Sequence, residues 1–231
     1  MTQLPLDLQF ISTPGREDFI LSDCNRLAAS WIDRWPDWPG QYCVLNLVGP
    51  AASGKSHLAA IWAEQSDAVT VTEMATDSMP PAPHLVLDNP VPQSRWNEEG
   101  LFHLMNRTVA AGSSLLITSE IPVAQMAWDL ADLSSRMRAV NVVRLDPPDD
   151  SLLRQLLEKY FADRQLVVAV QVLDYMVMRM ERSFAALQTI AAAMDRRALA
   201  ERRNLTLPLA REIMTEFADG DHARQPELPT G

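Results

Sequence analysis

The feature that most constrains this chain is a glycine loop, Gly49-Pro50-Ala51-Ala52-Ser53-Gly54-Lys55-Ser56. Its fixed positions, Gly-x4-Gly-Lys-Ser, are those of a phosphate-binding loop. The loop follows an apolar, β-prone run over 42–48 and precedes a helical pattern from His57 to Glu64. Glycines let the backbone amides turn around a phosphate, and the helix start adds positive potential. The pattern predicts a nucleotide-binding P-loop protein, the alternative being an ordinary glycine turn between a strand and a helix.

Seven residues of this region are predicted to contact the nucleotide: Gly49, Ala52, Ser53, Gly54, Lys55, Ser56 and His57. Lys55 is expected to reach the terminal phosphates, and the Ser56 hydroxyl to bind Mg²⁺. Asp88 ends an apolar run over 84–88, a position suited to holding Mg²⁺ through water. Asn89 follows, and an amide cannot accept a proton from an attacking water. The expected cofactors are therefore ADP or ATP with Mg²⁺, and weak or no ATPase activity is predicted.

The order of secondary-structure patterns predicts the fold class. A helix over 23–35, with Ser22 or Asp23 as N-cap, precedes strands over 42–48, 69–71, 84–88, 114–119 and 141–145. Helices separate these strands up to Pro147-Pro148, which predicts an α/β fold with a parallel, three-layer sheet. Only helical patterns follow, over 149–163, 168–181, 183–199 and 208–218. The predicted domains are an arm (1–17), a nucleotide-binding domain (18–147), a small helical lid (148–218) and a frayed tail (219–231).

Composition limits the classes of partner. The chain has 20 basic and 30 acidic residues, a formal charge of −10, which is the wrong sign for a protein that neutralises DNA phosphates over a broad face. Direct, specific DNA binding is therefore not expected. The N-terminus lacks a signal-peptide pattern and no apolar run is long enough to span a membrane, so a cytoplasmic location without membrane contact is expected. Cys24 and Cys43 form no metal-binding or disulfide pattern.

Further polar positions fit the sites that AAA+ proteins use around the γ-phosphate. Thr118 and Ser119 end the strand over 114–119, where either could be a sensor or an ordinary strand-end hydroxyl. Arg136 lies in a predicted helix over 128–138, where AAA+ subunits place an arginine finger that acts in a neighbour's site. Arg138 is a competing candidate, and a surface ion pair is the simpler alternative for either arginine.

Several segments resemble the AAA+ core of the bacterial replication initiator DnaA over about 18–216. They are Asp18-Phe19-Ile20, Asn25-Arg26-Leu27-Ala28, the glycine loop with His57-Leu58, Leu85-Val86-Leu87-Asp88-Asn89 and Ser135-Arg136-Met137. The resemblance implies that Phe19 and Ile20 also contact the nucleotide. No helix-turn-helix DNA-binding domain is expected after Met214. Together with Asp88-Asn89 and the run from Arg202 to Ile213, this indicates the Hda family of short DnaA homologues, which inactivate the initiator.

The N-terminal arm is also similar to Hda proteins. Gln3-Leu4-Pro5-Leu6-Asp7-Leu8 resembles the QLxLxL peptide that docks on the replicative sliding clamp, with Gln3, Leu4, Leu6 and Leu8 as contacts. The resemblance implies two partners, the sliding clamp (β subunit) and DnaA, and it leaves a homo-oligomer open. It implies a negative regulator of replication initiation: the chain holds a nucleotide, docks on the clamp, and Arg136 stimulates hydrolysis of DnaA-bound ATP.

One position departs from the family pattern. Ala185 stands where the family places the arginine of the second sensor, and Arg182 is one helical turn earlier. Arg182 is the remaining sensor candidate, on condition that the helix is rotated. Two other functions stay open: an autonomous AAA+ ATPase or helicase-loading factor, which Asn89 disfavours, and a degenerate AAA+ scaffold for protein contacts, which Ala185 favours.

Overall fold

The computed structural model describes residues 16, 19–40, 43–73, 83–94, 96–201 and 203–222. The strands are β1 (Val44–Val48), β2 (Val69–Val71), β3 (Leu85–Asp88), β4 (Leu115–Ser119) and β5 (Asn141–Arg144). The first four helices are α1 (Arg26–Asp33), α2 (Lys55–Ser66), α3 (Glu98–Ala110) and α4 (Ala131–Arg138). The last four are α5 (Asp150–Asp163), α6 (Val170–Val177), α7 (Phe184–Glu201) and α8 (Leu207–His222). Among the described helices, none combines the length and apolarity required to cross a membrane.

The five strands form one parallel sheet in the order β2-β3-β4-β1-β5. All residues of β1 and β4 are buried, as expected for strands covered on both faces. Because the strands are parallel, their carboxyl ends lie along one edge, where ligands bind in open α/β sheets. The predicted parallel α/β fold is confirmed.

Side chains alternate between the two faces of the sheet, and each face has its own apolar layer. Val86 and Leu116 belong to the layer that contains Leu58, Ile61 and Trp62 of α2. Leu87 and Ile117, one residue further along, belong to the layer with α3 and α4. This alternation determines which polar groups at the strand ends face α2, the helix that follows the glycine loop.

The chain divides into two compact units, which are described separately. The first contains the sheet with α1–α4, and the second contains 146–222 together with the short pieces Ser22–Cys24 and Ala51–Ser53. In the second unit, α5–α8 surround a core that includes Leu157, Phe161 and Met194. The helical composition of this unit agrees with the predicted lid.

Several predicted helix boundaries differ from the structure, as the start of α1 and the end of α8 illustrate. Helix α1 begins at Arg26 after Asn25, because Ser22 donates a hydrogen bond to the Asp149 carboxylate and does not cap the helix. Helix α8 continues to His222, four positions beyond the boundary predicted at 218, although an internal glycine costs a helix about 1 kcal/mol.

Candidate functional site: a nucleotide-binding loop

The glycine loop joins β1 to α2 with a backbone that most sequences could not adopt. Gly54, the N-cap of α2, has φ +98°, and Ala52 has φ +53°. A left-handed conformation costs a residue with a Cβ about 1–2 kcal/mol, so Ala52 marks local strain of the kind found at ligand sites. The Ser53 hydroxyl is buried and has no hydrogen-bond partner among the described residues. Because phosphate oxygens would satisfy that hydroxyl, the loop fits the predicted nucleotide.

The side chain of Lys55 is hydrogen-bonded to the backbone of the glycine loop. Its Nζ donates hydrogen bonds to the carbonyl oxygens of Gly49 (2.8 Å) and Pro50 (2.7 Å). Burial lowers the pKa of Lys55, while the negative charges of Glu120 and Asp88 act in the opposite direction. A half-buried ammonium at the carboxyl edge of the sheet is suited to binding phosphate.

Asp88 and Thr118 form a direct pair at the same edge. The two residues are opposite each other in the β3–β4 register, and the Thr118 hydroxyl donates to Asp88 Oδ1 at 2.6 Å. They follow Val86 and Leu116 by two positions, so they face the layer of α2. The Asn89 amide donates to the Thr118 carbonyl at 2.9 Å, which fixes the first residue after β3.

Ser119, the other sensor candidate, lies in the opposite layer. Its side chain is fully buried, and its hydroxyl accepts a hydrogen bond from Asn46 Nδ2 at 2.8 Å. The structure thus brings Thr118, and not Ser119, to Asp88. Any strand assignment predicts that neighbouring side chains alternate between the two faces of the sheet. Only the three-dimensional fold shows which of the two faces packs against α2.

The remaining predicted contacts lie at the start of α2. The Phe19 ring packs edge-on against the His57 ring, with centroids 5.2 Å apart. The Asn25 side chain donates to the Ile20 carbonyl at 2.9 Å, which fixes the segment after Phe19. Ser56 is exposed in the first turn of α2. Phe19 and His57 are therefore brought together, although 38 positions separate them in the sequence.

The candidate arginine finger is carried on α4 and stacked on α3. The guanidinium carbon of Arg136 lies 4.9 Å from the centroid of the Phe102 ring, and the side chain is half-buried. The Glu98 carboxylate accepts hydrogen bonds from the backbone amides of Leu130 (2.8 Å) and Asp129 (3.2 Å) and so fixes the two residues that precede α4. Arg138, the competing candidate, is exposed one residue before the C-cap.

The second-sensor candidate is not on a helix. Arg182 precedes α7, which begins at Phe184, so it lies outside the helix that was expected to present it. Its guanidinium is exposed and pairs with Asp150, with Nε–Oδ1 at 3.0 Å. Ala185 is exposed in the first turn of α7. Within the second unit, Arg182 therefore has a local carboxylate partner.

Three residues of interest were missed by the sequence predictions: Glu120, Phe102 and Asn46. Glu120 follows β4 directly, and an acid at a strand end near a P-loop is a detectable pattern. Asn46 is a lone polar residue in an apolar strand, which is also detectable. Phe102 has no such pattern, because its contact with Arg136 depends on the packing of two helices. The predicted clamp-binding residues, Gln3, Leu4, Leu6 and Leu8, lie outside the described residues.

Comparison with known proteins bears on both units. Residues 149–214 match the model of the Hda lid domain. Domain III of the Thermotoga maritima replication initiation protein DnaA superposes with a TM-score of 0.72 at 17% identity, covering 87% of this chain and 95% of that one.

Two further structures share the fold. AMPPCP-bound DnaA from Aquifex aeolicus has a TM-score of 0.65 at 15% identity, covering 80% of this chain and 65% of that one. The Thermotoga maritima RuvB Holliday junction branch migration motor has a TM-score of 0.64 at 14% identity, covering 87% of this chain and 71% of that one. At such identities these three likenesses establish the fold.

Proposed function

We propose that this chain, whose residues 149–214 match the Hda lid domain and whose fold is that of DnaA domain III, is a negative regulator of chromosomal replication initiation. It holds ADP or ATP with Mg²⁺ in its own loop and stimulates hydrolysis of the ATP bound to DnaA. Arg136 is the arginine finger, and the N-terminal peptide docks the protein on the sliding clamp. The chain acts on nucleotide held by its partner, in the cytoplasm.

The observation that carries this proposal is the residue after β3. The groups suited to holding phosphate and Mg²⁺ are present: Lys55, the Asp88–Thr118 pair, and the buried Ser53 hydroxyl. Asn89 occupies the next position, and its amide cannot act as a general base. A site that retains its phosphate-binding groups but lacks that base is suited to holding a nucleotide, with hydrolysis taking place in the partner.

The contacts that hold the Arg136 side chain make it suitable for a role in a partner's site. The Phe102 ring limits the freedom of Arg136, and the hydrogen bonds of Glu98 fix the residues before α4, so less entropy is lost when the guanidinium binds a phosphate. A guanidinium supplied by a neighbour stabilises the charge of phosphoryl transfer.

The decisive experiment mixes the protein with ATP-bound DnaA and clamp loaded on DNA, and follows the loss of ATP. Arg136→Ala is expected to lower the stimulated rate by on the order of a thousandfold, by analogy with other arginine fingers. Arg138→Ala is the matched control, since it removes an arginine from the same helix. Equal losses in both variants, or none in Arg136→Ala, would contradict the assignment of the finger.

Clamp docking is tested in the same assay. Replacing Leu6 and Leu8 by alanine removes two apolar contacts of the proposed docking peptide. The loss of ATP is expected to slow when the clamp is limiting and to recover when the clamp is in large excess. No change at limiting clamp would contradict the docking role.

One observation favours a second function, that of an autonomous ATPase. Glu120 lies close enough to Lys55 to act on its pKa, and a carboxylate there could replace the base missing at Asn89. ATP turnover by the purified chain without DnaA, abolished by Glu120→Gln, would establish this alternative.

A further inference from the structure

The central strand of the sheet contains a polar side chain that the proposed function does not use. Asn46 lies in the middle of β1 and is completely buried. A buried amide requires hydrogen bonds, because burying its donors and acceptors without partners costs free energy. A buried aliphatic side chain carries no such cost. The hydrogen-bond partners of Asn46 therefore indicate the role of this residue.

Asn46 bonds to both ends of one short segment, 119–123. Its Nδ2 donates to the Ser119 hydroxyl at 2.8 Å and to the carbonyl of Ile117 at 3.1 Å. Its Oδ1 accepts from the amide of Val123 at 3.0 Å. The Val123 carbonyl accepts from the indole of Trp128 at 2.8 Å, so the far end of the segment is held from two sides.

The segment that Asn46 closes is the one that carries Glu120 to the nucleotide loop. The Ser119 carbonyl accepts from the amide of Gly49 at 3.1 Å, and Gly49 in turn accepts from Lys55 Nζ. The negative charge of Glu120 acts to raise the pKa of Lys55, against burial, which lowers that pKa. Asn46 is thus linked to Lys55 along two routes, one through Gly49 and one through Glu120.

We propose that Asn46 is a positioning residue that sets the conformation of the segment 119–123, so that Glu120 faces Lys55 and the loop is preorganised for a nucleotide. This inference rests on the proposed nucleotide-binding role of the loop. Asn46 itself lies in the layer of α3 and α4, away from the phosphate side, and acts through Glu120 and Gly49.

The test is a nucleotide titration with the full chain, using fluorescent ADP and Mg²⁺. Asn46→Leu keeps the branching and the number of heavy atoms of the side chain but removes its three hydrogen bonds. It is expected to weaken binding about tenfold, as loss of supporting contacts typically does. Val44→Ala is the matched control. Val44 is buried in the same strand and on the same face, and its truncation lowers stability without touching the segment 119–123.

A double-mutant cycle separates positioning from general destabilisation. If Asn46 acts through Glu120, Asn46→Leu weakens binding less than about twofold further when Glu120→Gln is already present. Fully multiplicative effects of the two substitutions would overturn the route through Glu120, and equal weakening by Val44→Ala would overturn the whole inference. If Asn46→Leu does not fold, Ser119→Ala removes only the Nδ2–Oγ bond and is expected to weaken binding about threefold.

The two proposals fail in different ways. If the wild-type chain binds nucleotide and both Asn46→Leu and Ser119→Ala bind equally well, the positioning role is refuted and the proposed function is untouched. If the wild-type chain binds neither ADP nor ATP with Mg²⁺, both the nucleotide-binding role and the positioning role are refuted.

Discussion

Replacing Asn89 by aspartate tests whether hydrolysis in this chain is limited by a missing base. Asn89 has φ +53°, a left-handed conformation that Asn and Asp adopt more easily than other residues with a side chain. Glutamate at this position would cost about 1 kcal/mol in backbone strain, so aspartate is the better probe. The amide of residue 89 would still donate to Thr118, because that bond uses only the backbone.

The expected gain follows from the role of a general base. A positioned base contributes roughly 10²–10⁴-fold, and without an arginine from a partner only part of that is expected, about tenfold or more over wild type. The assay is ATP turnover by the purified chain at saturating ATP and Mg²⁺, without DnaA. Asn89→Ala is the control, because it removes the amide without adding a carboxylate.

One result would refute the reasoning. If Asn89→Asp binds ATP as tightly as wild type but turns it over no faster than Asn89→Ala, the missing base does not limit hydrolysis. If the wild-type chain already turns over ATP and Glu120→Gln abolishes that activity, Glu120 is the base and the second function applies.

Three other substitutions test the support of Arg136, the pH dependence of stability and the role of Lys55. Phe102→Leu keeps an apolar side chain but removes the ring beneath Arg136. The stimulated loss of ATP from DnaA should fall about two- to fivefold, because an exposed cation–π contact contributes about 0.5–1 kcal/mol. If the rate does not fall, the ring does not position the arginine. Burial lowers the pKa of His84 below its usual 6.5, so the unfolded chain binds more protons and the free energy of unfolding should decrease as the pH falls through and below that value. Urea midpoints between about pH 8 and pH 5.5 should shift less in His84→Gln, and an identical shift would exclude this residue as the cause. Lys55→Met should abolish the thermal stabilisation by ADP with Mg²⁺ but change the melting temperature without nucleotide little, because relief of lysine burial offsets two lost hydrogen bonds.

The candidate site could be predicted from the sequence where it depends on residues that are adjacent in the chain. Gly54 and Lys55 identify the phosphate loop because close backbone approach and a reaching ammonium require those residue types in that order. Asp88 was located by the apolar run before it, because a buried parallel strand delivers its last residue to the ligand edge. These inferences depend on local geometry, which the sequence encodes within a few positions.

The parts that could not be predicted depend on packing between distant segments. Thr118 and Ser119 are equivalent by sequence, and only the position of α2 on one face of the sheet separates them. Arg136 meets Phe102 across two helices 34 positions apart in sequence, a contact set by the packing of α3 against α4. The N-cap of α1 was misplaced because Ser22 bonds to Asp149, 127 positions away.

Under the proposed function, holding a nucleotide and hydrolysing it depend on separate parts of this fold. The Asp88–Thr118 pairing is fixed by the buried residues that precede it in β3 and β4, so its geometry does not depend on the side chain at position 89. Residue 89 is exposed, and its only hydrogen bonds among the described residues use its backbone amide. A change of side chain there removes a base without disturbing the sheet or the loop. Loss of hydrolysis at this position is therefore compatible with full retention of the fold, which is the combination that a regulator acting on a partner's nucleotide requires.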